Sequence, residues 1–333
     1  MYPPNMSDLV RITDVSPRDG LQNEPGVIPT SDKVKLVELL CKTGVDEIEV
    51  TSFVSAKWVP QLGDGAEVLK QVHAWLHANW TQKDLPGVPC LSMLVPNQQG
   101  MEAAIRAHPG VSVEKVAVFA AASETFSKKN LNATIEESME RFRPVMEMAR
   151  LACGQPIHVR AYISCAIACP FEGPISPEKV ADVAARLIDL GADEIDLGDT
   201  IGAGTSESVT ELFRVVTKRI GKGWLSKRSV GEYGLTLHLH DTFGRAAECV
   251  RAALDLGVRS FDGSVAGLGG CPYASTTLPD GTIQRAPGNI ATELLVRTIH
   301  EAGYRTNVDL AALAEAAAFA REIVAKSRAG GGS

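Results

Sequence analysis

His238 and His240 sit two residues apart in the run Leu235-Thr-Leu-His-Leu-His-Asp241. The run has strand character, and a side-chain period of two sends both imidazoles to one face and Leu237 and Leu239 to the other. Two imidazoles on one face form half of a metal site. A carboxylate from elsewhere would add charge neutralisation, and Asp19 is the best-placed one. An Asp, two His and an amide oxygen, with positions left for water, suit Mg²⁺ or Mn²⁺, with Zn²⁺ as a further option. The plainer alternative is a pair of hydrogen-bonded core histidines. Arg18, flanked by Asp14 and Asp19, is placed to hold an anionic oxygen. Cys271 follows Gly267-Leu-Gly-Gly270, a loop able to close and carry a thiol to a site, or else a tight turn with an incidental buried cysteine. Cys165 and Cys169 lack a second pair and read as structural thiols. Lys128-Lys129-Asn130 is a short basic run on a long loop.

These groups need a scaffold, and the chain alternates between two patterns. Short β-branched or apolar runs fall at Val10–Val15, Glu47–Phe53, Cys90–Val95, Lys115–Ala120, Ile157–Ser164, Glu194–Gly198, Leu235–His240 and Ser260–Ala266. Helical spacing follows most of them, at Ser31–Thr43, Gly65–His77, Gln98–Ala107, Thr134–Cys153, Ser176–Leu190, Ser206–Arg219, Arg245–Leu256 and Ile290–Ala302. A further Ala-rich helix covers Asp309–Lys326. Gly44, Gly191 and Gly257 stand where helices end. Eight such units predict an α/β fold, a (β/α)8 TIM barrel with an extra C-terminal helix. The division expected is an N-terminal extension (1–9), a single barrel (10–326) and a flexible tail (327–333). Barrel enzymes work at the C-terminal ends of their strands. There the sequence places Asp14, Arg18 and Asp19 after the first run, Glu49 and Ser52 on the second, and Asp199 after the sixth.

Composition narrows the possibilities. The 333 residues are 45% hydrophobic and carry 33 basic against 40 acidic groups, a net charge of −7. That is the balance of a folded globular protein, and net acidity disfavours nucleic acid as a partner. Seven cysteines, an odd number at irregular spacings, point to a reducing compartment. No long apolar run predicts a membrane span and no leader pattern is visible, so a cytoplasmic location is expected.

Asp14-Val-Ser-Pro-Arg-Asp-Gly-Leu-Gln-Asn-Glu24, Glu49-Val-Thr-Ser-Phe-Val-Ser55, Lys57-Trp-Val-Pro-Gln61, Leu197-Gly-Asp-Thr-Ile-Gly202, His238-Leu-His-Asp-Thr242 and Gly267-Leu-Gly-Gly-Cys-Pro-Tyr-Ala274 together resemble the 3-hydroxy-3-methylglutaryl-CoA (HMG-CoA) lyase family. The likeness runs from about Arg11 to Asn307. The glycine-rich cysteine loop separates such lyases from related condensing synthases. The resemblance implies a divalent metal, Mg²⁺ or Mn²⁺, held by Asp19, His238, His240 and Asn289. It implies that Arg18 stabilises an enolate oxygen and that Cys271 serves acid/base chemistry, with Glu49, Asp14 and Asp199 lining the site. Gln22, Ser52, Lys129 and Asn130 would join Arg18 on the substrate. The reaction implied is retro-Claisen cleavage of HMG-CoA to acetyl-CoA and acetoacetate, as in leucine catabolism, with Asp14, or His238 acting with Asp199, as base. CoA enters as part of the substrate, and a homodimer is the expected assembly. The stretch Ser275–Pro287, which includes Asp280 and Arg285, is longer than the family pattern. This leaves a related 3-hydroxyacyl-CoA, such as citramalyl-CoA or a longer branched 3-hydroxyglutaryl-CoA, as the alternative substrate.

Overall fold

The computed structural model describes residues 8–79, 87–107, 113–152, 155–225, 234–270, 276–277, 283–284 and 287–330. Eight parallel strands close into a barrel in the order β1-β8-β7-β6-β5-β4-β3-β2. They are β1 (Arg11–Asp14), β2 (Glu47–Ser52), β3 (Cys90–Leu94), β4 (Lys115–Ala121), β5 (His158–Ser164), β6 (Glu194–Asp199), β7 (Gly234–Leu239) and β8 (Ser260–Gly263). All eight expected runs form these strands, and the (β/α)8 architecture holds.

The apolar core lies outside the strands rather than inside the barrel. Ile12, Ile48, Val116, Val159, Ile195, Leu237 and Phe261 point outward and are at most 1% exposed. They pack beneath α1 (Thr30–Leu40), α2 (Gly65–Asn79), α3 (Gln98–Arg106), α4 (Glu124–Leu131), α5 (Ile135–Arg150), α6 (Pro177–Leu190), α7 (Ser206–Ile220), α8 (Ala246–Asp255) and α9 (Thr292–Glu301). Most inward positions are polar, among them Thr13, Glu47, Glu49, Lys115, Arg160, Glu194, Asp196, Thr236 and Asp262, all buried, with a small apolar cluster of Leu94, Ala117 and Tyr162 beside them. Such groups stay buried only if paired. Lys115 Nζ is 2.6 Å from Glu47 and 2.5 Å from Glu194, and Arg160 Nη2 is 2.7 Å from Glu194.

Three expectations change. Lys128, Lys129 and Asn130 lie on a helix, α4, not on a loop. Ser123 caps it by accepting from Phe126 N–H at 3.0 Å, and the basic pair falls in its last turn, where the helix dipole favours cations. The eighth run stops at Gly263 and gives way to a 3-10 turn, Val265–Gly267, in which Ala266 takes φ 60°. Residues 327–330, expected in the flexible tail, belong instead to α10 (Leu310–Gly330), and 331–333 lie outside the described residues. Ser327 Oγ donates to Gly26 O at 2.8 Å and accepts from Gly26 N–H at 3.0 Å, and Arg328 grips both oxygens of Glu24 at 2.7 and 2.8 Å. These contacts fasten the end of α10 to the segment that follows β1.

Candidate active site

The chain leaves β1 through a single wide turn, Ser16–Gly20, in which the N–H groups of Asp19 and Gly20 share the carbonyl of Val15 at 2.9 and 3.2 Å. Wide turns of this π type recur at functional sites. This one sets Arg18 and Asp19 side by side at the mouth. Gly20 leaves no room for a side chain, since a Cβ there would lie 2.9 Å from Ser264 Oγ.

Arg18 is clamped between carboxylates. Its Nε and Nη2 each reach Glu49 Oε2 at 2.6 Å, and Nη1 reaches Asp19 Oδ1 at 2.7 Å. Among the described residues, one N–H on each terminal nitrogen remains for another acceptor. Burial pushes the Glu49 carboxyl up, and the opposing pull of Arg18 and Arg160 does not fully offset it. Asp19 is partly exposed, with 23% of its side chain accessible. Desolvation would raise its carboxyl, but Arg18, His238 and His240 outweigh that and hold it below the usual range.

The two imidazoles point into the barrel as the period-two pattern predicts. Their rings are 5.4 Å apart, and one ligand atom from each of Asp19, His238 and His240 falls within 4.8 Å of the others. His238 Nδ1 lies 3.2 Å from Asp262 Oδ2. Burial, then His238, lowers His240 to about 4, so its ring is neutral at pH 7. Its buried Nδ1 has no hydrogen-bond partner among the described residues. Asn289 donates from Nδ2 to Asp19 Oδ2 at 2.8 Å and to the carbonyls of Leu268 and Gly269. Gly269 (φ 86°) admits no side chain, because a Cβ would lie 2.7 Å from Asn289 Nδ2 and 2.8 Å from Asp19 O. The glycine loop therefore lies directly against the Asp19–Asn289 contact.

Asp14 and Asp199 do not join this set. Thr13 faces inward, so Asp14 faces outward, and Asp199 shares the outward parity of its register partner Leu239. Asp14 is fully buried and accepts from Ser16 N–H, Ser16 Oγ, Val265 N–H and Thr292 Oγ1 at 2.5–3.1 Å. It tethers β1 to the segments after β8, and its oxygens have no face left for a substrate proton. Asp199 accepts from Ala203 and Gly204 N–H at 3.0 and 2.7 Å, shaping the loop after β6. Burial raises both carboxyls to about 6.

The remaining expected residues scatter. Ser52 Oγ accepts from Val54 N–H at 3.0 Å, and the residue lines a side cleft of about 410 Å³ with Phe53, Leu62, Gly65, Ala103 and Arg106. Gln22 is half-buried just past the Arg18–Asp19 turn. Lys129 rests its ammonium 4.8 Å over the Phe171 ring, and its neighbour Asn130 is exposed. Cys271, Asp280 and Arg285 lie outside the described residues.

Sequence reasoning missed Arg160, Tyr162 and Asp262. Tyr162 is a hub: its hydroxyl donates to Glu49 at 3.2 Å and accepts from Arg160 at 3.2 Å, and both Arg18 and Arg160 sit 5.5 Å from its ring centre. The signal available was alternation in His158-x-Arg160-x-Tyr162, charged and polar groups on the inward parity of a strand.

The HMGL-like family model matches residues 9–320. A 3-hydroxy-3-methylglutaryl-CoA lyase, cytoplasmic, of Mus musculus is 43% identical over 97% of this chain and 84% of its own. A hydroxymethylglutaryl-CoA lyase, mitochondrial, of Gallus gallus is 44% identical over 93% of this chain and 92% of its own. Among solved structures, the HMG-CoA lyase of Brucella melitensis superposes with a TM-score of 0.80 at 41% identity, covering 96% of this chain and 99% of the other. An HMG-CoA lyase from Acenitobacter baumannii, in complex with coenzyme A and 3-methylmalate, gives 0.80 at 32% identity, covering 97% and 93%. The match over nearly the whole chain, with the barrel already described, places this protein in the HMGL-like family.

Proposed function

We propose that the protein is a carbon–carbon lyase that cleaves 3-hydroxy-3-methylglutaryl-CoA to acetyl-CoA and acetoacetate with the help of a divalent cation, Mg²⁺ or Mn²⁺. The observation that carries this reading is the meeting of the Arg18–Asp19 turn with His238 and His240 at one rim, in a chain whose relatives are named for that lyase activity. The cation fits the residues present. Asp19 is held below the usual carboxylate range, His240 is neutral, and ligand atoms of both stand with one of His238 within 4.8 Å of one another.

Charge balance supports the same reading. The connected interior network holds six carboxyls (Asp19, Glu47, Glu49, Glu194, Asp196 and Asp262) against three cations (Arg18, Lys115 and Arg160). Burial and the neighbouring Asp262 raise the Asp196 carboxyl well above its ordinary value, against the pull of Arg160. Among the described residues, carboxyls therefore outnumber cations in this network, an imbalance that a bound cation would reduce.

Asp19, His238, His240 and the Asn289 amide oxygen would hold the cation, which when bound supplies a Lewis acid for the substrate's tertiary hydroxyl and free carboxylate. A base takes the hydroxyl proton, the C2–C3 bond breaks, and its electron pair passes to the thioester as an enolate. Arg18 would offer its remaining N–H groups to that enolate oxygen, and C2 then takes up a proton to give acetyl-CoA. Cys271 is the expected source of that proton. Glu49 and Asp19 fix the guanidinium plane in advance, so orienting it costs little during reaction.

The test is to incubate the purified protein with HMG-CoA and Mg²⁺ and follow acetoacetate. Release that stops on chelation and returns with Mg²⁺ or Mn²⁺ is expected. No acetoacetate under these conditions, with turnover of another 3-hydroxyacyl-CoA in a substrate panel, would overturn the substrate assignment. Chelator-resistant turnover would overturn the cation.

A further inference from the structure

We propose that Asp262, held by Arg160, is a positioning residue that locks His238 into the ring orientation and tautomer needed to bind the cation. This deepens the cation reading above and rests on it. Asp262 and His238 are direct register partners on adjacent parallel strands, so the ladder itself sets them opposite each other. Asp262 Oδ2 takes His238 Nδ1 at 3.2 Å, and the nitrogen left for the Asp19–His240 side is Nε2. A neutral imidazole that donates through one nitrogen must present a lone pair at the other.

The carboxylate is itself anchored. Both its oxygens lie within 3.1 Å of Arg160 Nη1, and Arg160 Nη2 donates to Thr13 Oγ1 at 2.9 Å and pairs with Glu194 at 2.7 Å. The chain of contacts thus runs from the barrel floor through Arg160 and Asp262 to the ring. Asp196, Asp262 and His238 could by spacing alone hold a second ion. Arg160 already supplies the positive charge at Asp262, 3.6 Å from Asp196 as well, which makes a second cation there unfavourable. His240 has no comparable support, because its Nδ1 lacks a partner among the described residues. The two ligands are therefore unequal: one is set before the ion arrives, the other is free to adjust.

The test uses the metal-stripped full chain and Mn²⁺, with bound and free ion separated by the electron paramagnetic resonance signal. Asp262→Asn keeps the shape and removes the charge, and should raise the Mn²⁺ Kd about 10- to 100-fold. Asp262→Ala should raise it further, with unchanged far-ultraviolet circular dichroism in both. In the unsubstituted protein, nitrogen-15 spectra of His238, assigned with His238→Gln, should show the proton on Nδ1. In Asp262→Ala they should show a mixture of tautomers. An Asp262→Asn Kd within twofold of the unsubstituted protein, or a proton on Nε2 in the latter, would overturn the proposal. An unsubstituted chain that binds no Mn²⁺ would overturn the cation reading itself, and this inference with it. The tautomer of the unsubstituted protein is read without either Asp262 variant, so it decides even if Asp262→Ala aggregates.

Discussion

Arg18→Gln separates what the guanidinium does for the fold from what it does for turnover. The substitution takes away a group that holds Glu49 at 2.6 Å through two nitrogens and Asp19 at 2.7 Å through the third. Glu49 is 0% exposed, and burial already pushes its carboxyl above 4.5 with Arg18 in place. Without Arg18 it takes up a proton in the folded state. Protonating a carboxyl of ordinary value 4.5 at pH 7 costs roughly 3 kcal/mol, from 2.5 pH units at about 1.36 kcal/mol each. Breaking a buried ion pair by removing one partner costs about 3–5 kcal/mol, the same range. The sign follows from the raised carboxyl: the penalty is full at pH 7 and shrinks as pH falls toward 4.5. Turnover loses an oriented donor, worth about 10²- to 10³-fold. The double variant Arg18→Gln/Glu49→Gln removes both charges, so it should recover most of the stability and none of the turnover. Urea denaturation at pH 5 and 7, beside acetoacetate release at saturating substrate, measures both quantities. If Arg18→Gln turns over within threefold of the unsubstituted protein, the enolate role fails. If its destabilisation is equal at both pH values and persists in the double variant, the account of Glu49 fails.

Lys115→Met leaves Glu47 and Glu194 facing each other without their shared ammonium. It should cost about 3–5 kcal/mol at pH 7 by urea denaturation, and less at pH 5. Gly269→Ala should weaken Mn²⁺ binding several-fold, read by titration, because its methyl would collide with Asn289 and the backbone at Asp19; unchanged binding would show that the loop can move aside. Asp199 rises from 3.8 to about 6 on folding, so its contribution to stability is greatest below pH 4 and is lost as pH climbs to 6. The deficit of Asp199→Asn, measured by urea denaturation, should therefore shrink by up to about 3 kcal/mol between pH 4 and 7; a deficit independent of pH would refute the raised carboxyl.

The strands and the two imidazoles were legible because both rest on local periodicity. Alternation in Leu235–His240 shows which side chains share a face, whatever lies across the barrel. The same rule, carried across Thr13-Asp14 and Gly198-Asp199, would have turned both aspartates outward, but proximity in sequence to Arg18 and to the loop after β6 drew them into the expected site. Arg160, Tyr162 and Asp262 stayed hidden for a different reason. Each acquires its partner through barrel closure, across 102 residues for Arg160–Asp262 and 113 for Tyr162–Glu49. Helix α4 was hidden by its polar sequence, which reads as a loop until the Ser123 cap is seen. The end of α10 looked expendable because Ala329-Gly330-Gly331-Gly332-Ser333 resembles a linker, and neither Gly26 nor Glu24 announces what will grip it.

That grip, with the contact between Asp19 and Asn289 across 270 residues, bears on how the protein is made. A ribosome would deliver the Arg18–Asp19 turn well before the groups that secure it, with Arg328 reaching back 304 positions to Glu24. Until β7 emerges the aspartate has neither imidazole beside it, so the nascent chain has no cradle in which to capture an ion prematurely.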